Sequence, residues 1–120
     1  MKSPKCINIT LAPWKWEGAV LVGGDTAGLS KAISELGFDA DLDDGSLGHT
    51  WVTIGKPIVV WVGTCDVAVL THELIHAVFG ALEARGCKYC HESEEAFTYT
   101  VEAALRTVLT SSTWKRESQR

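Results

Sequence analysis

His72-Glu73-Leu74-Ile75-His76 spells H-E-x-x-H inside a stretch, Val67 to Arg85, that reads as one continuous helix. A helix turns about 100° per residue, so side chains four apart stack on one face. His72 and His76 so placed can offer two imidazole nitrogens to a single zinc ion, Zn2+. Glu73 projects from the adjoining surface, where its carboxylate can take a proton from a metal-bound water. The competing reading is a helix with two surface histidines and an unrelated glutamate. Asp66 stands where a helix cap is needed, and Gly86 where helices commonly stop. Ile75, Ala77, Val78, Phe79, Ala81 and Leu82 make the helix apolar on much of its circumference, which predicts burial. Histidines on a buried helix need partners, and a metal satisfies both together.

A catalytic zinc usually has three protein ligands and an open water position. Two candidates follow His76: Glu95, nineteen positions on at the start of the last helix, and His91, fifteen positions on in the loop before it. Glu94 is the neighbouring alternative to Glu95, and the two point about 100° apart on a helix.

H-E-x-x-H followed by glutamate after an eighteen-residue interval resembles the gluzincin metallopeptidases. Thr71 to Val78, then Gly86, then Glu94-Glu95-Ala96-Phe97-Thr98-Tyr99, is similar to small zincin-like metallopeptidases encoded by bacteriophages and prophages. The similarity covers residues 66 to 105, and only a compatible order of elements precedes it. It implies His72, His76 and Glu95 as metal ligands, Glu73 as catalytic base, and a peptide or protein as substrate. It favours Glu95 over Glu94, which then reads as a first-turn acid suited to the helix dipole. The interval to His91 resembles instead that of the SprT-like metalloproteases, which use three histidines. Here Glu92 replaces the glycine that usually follows the third histidine, and their zinc-ribbon module is missing.

Such a site would hydrolyse an amide by attack of water, with Glu73 accepting the proton and returning it to the leaving amine. An oxyanion donor besides the metal is usually needed. Tyr99, one turn beyond Glu95, is the nearest local candidate, and it could equally orient a ligand. Ile58 to Val62 precedes the site helix, and in zincins a strand in that vicinity forms an edge along which the substrate backbone can pair. Trp61 or Trp51 would line such a groove, although each reads more simply as core. His49 reads as a surface histidine. The alternative to an enzyme is a binding or assembly module with a structural or vestigial zinc, and the presence of Glu73 favours the enzyme.

The bulk numbers fit one domain over 1–120, with 46% hydrophobic residues to build a core. A net charge of −4 without a basic run gives no support for nucleic-acid binding. Residues 1–14 lack a secretory signal, and no apolar run reaches membrane-span length. The expectation is a cytoplasmic protein, in the host bacterium if phage-encoded, without a membrane partner. The four cysteines, Cys6, Cys65, Cys87 and Cys90, are too few for a disulfide scaffold. Cys87 to His91 matches the haem-attachment spelling C-x-x-C-H, but ordinary thiols in a helix–helix loop are the simpler reading.

The elements that must position the site follow from periodicity. Ile7, Ile9 and Leu11 alternate as a first strand broken by Pro13, and Ala19 to Val22 gives a second. Asp25 caps a helix carrying Leu29, Ala32, Ile33 and Leu36, ended by Gly37. Phe38, Ala40 and Leu42 read as an edge strand before a turn at Asp43 to Ser46. Thr50 to Ile54 and Ile58 to Val62 are further strands. The predicted fold is α+β: a small, mostly antiparallel sheet with a crossing helix over 1–65, two site helices over 66–110, and a fraying polar tail over 111–120.

Overall fold

A computed structural model describes residues 1–12, 15–42 and 45–120. Strands β1 (Lys5–Leu11) and β2 (Trp16–Val22) form an antiparallel hairpin, and helix α1 (Thr26–Glu35) follows. Strands β3 (Gly48–Trp51) and β4 (Ile58–Val62) lead to α2 (Val67–Ala84). A 3-10 turn over His91–Ser93 then opens α3 (Glu94–Thr110), and α4 (Ser112–Ser118) closes the chain. The sheet order is β1-β2-β4-β3, with β2 and β4 parallel and the two outer pairs antiparallel. The α+β class with a mostly antiparallel sheet is as expected.

Strand alternation divides the apolar residues between two layers. Ile7, Ile9, Val20, Val60 and Val62 face Leu70, Leu74 and Val78 of α2 and Phe97 and Val108 of α3. On the other face Leu21, Trp51 and Val59 pack against Leu29 and Ile33 of α1. β4 is therefore covered on both faces, which is why its sequence is apolar throughout instead of alternating.

Several expectations are corrected. Ile58–Val62 lies between β2 and β3, so β3 is the edge strand on the site side. Phe38, Ala40 and Leu42, expected as an edge strand, form none: they are partly buried against the α1-side core, and it is this packing that their alternation serves. The tail does not simply fray: the Ser111 hydroxyl caps α4 by accepting from Trp114 N at 3.1 Å, and Trp114 is buried in the main core. Val67–Ala84 is, by length and composition, apolar enough to cross a membrane, with a mean hydropathy of 1.3 over 18 residues. In this fold it is the central core helix, burying Leu70, Leu74, Ala77 and Val78 completely. The expected break at Pro13 and the turn residues Asp43 and Asp44 lie outside the described residues.

Candidate active site

Asp66 caps α2 by accepting from Ala68 N at 2.9 Å and Val69 N at 3.3 Å. Gly86, at φ 81°, takes the left-handed position just beyond the Arg85 cap. Between these ends the helix has two unlike sides. Leu70, Glu73, Leu74, Ala77 and Val78 turn inward, whereas His72, Ile75, His76 and Phe79 are exposed. The histidines are thus not buried as the apolar circumference suggested: the His72 side chain is 67% exposed, and solvation alone can satisfy it.

The two imidazoles nonetheless converge. Their Nε2 atoms stand 3.1 Å apart, with rings tilted 76° to one another. Two nitrogens on one tetrahedral zinc, each bonded at about 2.0–2.1 Å, are separated by roughly 3.3–3.4 Å. Small side-chain rotations bring His72 and His76 to that spacing, so these two donors fit a zinc ion. Without one, either ring can donate a hydrogen bond to the other.

Glu73 is 8% exposed and anchored from the edge strand. Thr50 Oγ1 lies 2.7 Å from Glu73 Oε1 and 3.0 Å from the Glu73 carbonyl oxygen. A hydroxyl has one proton, and the shorter contact to the carboxyl group is the one it favours. The other oxygen, Oε2, lies 4.0 Å from His72 Nε2. One carboxylate oxygen is thereby held by β3 while the second faces the imidazoles.

Close packing of β3 on α2 makes this possible, and glycine permits it at two points. A Cβ on Gly48 would come within 2.9 Å of Glu73 Cγ and of Trp61 O, and 3.0 Å of Val69 Cγ1. A Cβ on Gly80 would approach Val52 Cγ2 to 3.1 Å. Two clefts meet at Glu73. One of about 440 Å³ runs over Leu47, Gly48, Ala68, Val69 and His72, and one of about 430 Å³ over His49, Thr50, Val52, His76 and Gly80.

The outer edge of β3 borders these clefts. Gly63 N donates to Leu47 O at 2.9 Å, which sets the phase of the β3–β4 ladder. Antiparallel residues alternate in direction, so His49 and Trp51 bond toward β4 while Gly48 and Thr50 turn N–H and C=O outward. Trp51 and Trp61 belong to the α1 side of the sheet, with Trp61 Nε1 donating to Gly23 O at 3.0 Å. Neither lines the groove.

The remaining expected residues stand apart. Phe97 packs against Phe79 and Tyr89, at centroid distances of 4.6 Å and 5.0 Å, and is 2% exposed. Two residues turn a helix by about 200°, so burying Phe97 against α2 directs Glu95 away from it. Glu95 is exposed, and its side chain makes no hydrogen bond or ion pair among the described residues. His91, 96% exposed, pairs with Glu94 at 3.8 Å. Tyr99 is 65% exposed and borders a different groove with Ala12, Ala96 and Ala103. Among the described residues, no three His, Cys, Asp or Glu side chains form a group able to hold a metal ion. The structure thus gathers His72, Glu73 and His76 but not Glu95, His91 or Tyr99.

In the loop after α2, all four cysteines being free thiols, Cys87 is half-buried and Cys90 exposed. Cys90 Sγ lies 3.2 Å from Glu92 Oε2, and this thiol contact holds the Glu92 carboxyl below its ordinary range.

Thr50, Gly48 and Gly80 were not singled out from sequence. The signal for the first two was present in composition: Gly48-His49-Thr50-Trp51 is mixed, as an edge strand is, while Ile58–Val62 is uniformly apolar, as an interior strand is. Comparison with protein-family models, with curated proteins and with solved structures returns no match.

Proposed function

We propose that this chain is a small metal-dependent hydrolase of peptide bonds, with zinc held by His72 and His76 and Glu73 as its base. The observation that carries the reading is the joint placement of three groups. Two imidazole nitrogens converge, and beside them a carboxylate is fixed at one oxygen and open at the other, on a groove bordered by an unpaired strand edge. Zinc bound there would supply the positive charge that acidifies a water and polarises a carbonyl. The chain's own residues do the rest. Thr50 occupies Glu73 Oε1, leaving Oε2 to accept the proton of the attacking water and return it to the leaving amine. The outward N–H and C=O groups of Gly48 and Thr50 can hold an extended peptide across the carboxylate.

The metal fits in two donors, and among the described residues no third protein ligand is assembled beside them. The resemblance to gluzincins assigns Glu95, which would have to leave its solvent-facing position to serve. That separation favours a second reading, a binding or assembly module whose zinc is structural or vestigial. Metal analysis and a peptide-library cleavage assay separate the two. The enzyme reading expects equimolar zinc in wild type and Glu73→Gln, with cleavage by wild type alone. Equal inactivity of both zinc-loaded proteins would favour the module. Loss of zinc in Glu95→Gln would bring Glu95 into the ligand set, whereas unchanged zinc would leave it outside.

A further inference from the structure

The carboxyl ends of β2 and β4 lie side by side, and the chain leaves them toward opposite faces of the sheet. From β2, Gly23-Gly24 lead to α1, whose Leu29 and Ile33 pack on one face. From β4, Gly63-Thr64-Cys65 lead to α2, whose Leu70 and Leu74 pack on the other. Neighbouring parallel strands whose connections part in this way leave a crevice at their carboxyl ends, the place where open α/β sheets bind ligands. Here the crevice measures about 330 Å³, and none of its lining residues borders the clefts at Glu73.

Its chemistry is one-sided. Lys2, Lys5 and Arg120 line it against a single carboxylate, Glu117, whose Oε2 is 2.8 Å from Arg120 Nε. The lining side chains thus carry two positive charges in excess, on a chain of net charge −4, and part of the Lys2 charge is felt by Asp25 just outside the lining. The Lys2 and Lys5 ammonium groups make no ion pair among the described residues, and the Ser3 and Thr64 hydroxyls make no hydrogen bond. Nor do the backbone N–H groups of Gly24, Thr64 and Cys65 find an acceptor among the described residues. Asp25, next in sequence, is outside the lining and accepts from Gly28 N and Lys2 N at 2.7 Å and 2.6 Å. The crevice thus presents cations, hydroxyls and amides from four separate segments, with Glu117 the one carboxylate side chain among its lining residues.

We propose that this crevice is a binding site for the phosphate group of a small molecule, separate from the chemistry at Glu73. A tetrahedral oxyanion carrying up to two charges can accept from several directions at once, which suits donors spread over the N-terminal segment, the two loops and α4. A planar carboxylate uses fewer of them.

The test is titration of the full chain with inorganic phosphate, with a nucleoside monophosphate and with acetate, followed by amide chemical shifts. The site expects saturable shifts at Gly24, Thr64 and Cys65 with both phosphates. Lys2→Ala combined with Lys5→Ala should weaken binding about tenfold or more, as loss of charge-assisted contacts does. Lys31→Ala, which removes a cation paired with Glu35 on α1, should leave binding unchanged. Tighter binding of the monophosphate would identify an organic phosphate as the ligand, and equal binding would identify the free ion. Shifts that rise linearly without saturating, equal binding of acetate, or equal weakening by Lys31→Ala would overturn the proposal.

Discussion

Replacing Thr50 with valine removes one hydroxyl from Glu73 while keeping the side chain's shape and its fitness for a strand. The lost contact is the 2.7 Å bond to Oε1 of Glu73, a residue only 8% exposed. Hydrogen bonds to charged groups contribute about 1.5–3 kcal/mol, and an abandoned partner keeps its desolvation cost. Because the cleft lets water reach part of the carboxylate, the expected loss falls in the lower part of that range, about 1.5–2 kcal/mol. Urea denaturation of wild type, Thr50→Val, Thr50→Ser and Glu73→Gln measures it as a shift of midpoint at constant slope. Serine keeps the hydroxyl and should recover most of the loss. In a Glu73→Gln background, valine should cost less, giving a coupling of about 1 kcal/mol, within the usual span for contacting residues. If Thr50→Val stays within about 0.5 kcal/mol of wild type, the noise level of surface changes, the anchoring of Glu73 by β3 is refuted. Equal damage by serine would refute it too.

Gly48→Ala should destabilise by about 1–3 kcal/mol in the same assay, since its Cβ meets Glu73, Val69 and the backbone of β4 at once. The Asp25 carboxyl is held below its ordinary range by the Gly28 N–H, then by the Lys2 N–H and nearby positive charge. A depressed carboxyl stabilises the fold above its unfolded-state pKa and loses that effect as pH falls through the folded-state value. The melting-temperature difference between wild type and Asp25→Asn should therefore be present at neutral pH and close in acid. Burial, helped by the charge of Glu117, pushes the Cys65 thiol up. Alkylation of Cys65 at neutral pH should consequently lag behind that of a free thiol and accelerate as pH rises, followed by mass spectrometry of the labelled peptides.

The local parts of the site were legible because they are written in short-range chemistry. Asp66 and Gly86 bound α2 by capping rules that act within a turn, and the histidine pair follows from helical spacing alone. Asp25 and Gly37 bound α1 in the same way. What failed depends on packing between distant segments. The spacing from His76 to Glu95 counts residues, but Glu95's direction is decided by Phe97 burying itself against Phe79 and Tyr89. Likewise the resemblance to zincins places an edge in the vicinity of Ile58 to Val62, but which strand forms it depends on strand order, and that is decided by packing across the sheet. Thr50 was already on an expected strand, and only the register of that strand on α2 could show that its hydroxyl meets Glu73.

The parallel pairing of β2 with β4 has a kinetic consequence. β1 and β2 are consecutive and close as a local hairpin, but Gly18 must find Ile58 across all of α1 and β3. Contacts distant in sequence carry a larger loop-closure entropy and retard folding. The hairpin and the isolated helices therefore have a head start, and the central seam closes late. β3, β4 and α2 follow one another in the chain, so the Thr50–Glu73 contact, 23 positions apart, can close ahead of that seam, and the strand that steadies the glutamate can be in place before the sheet is whole.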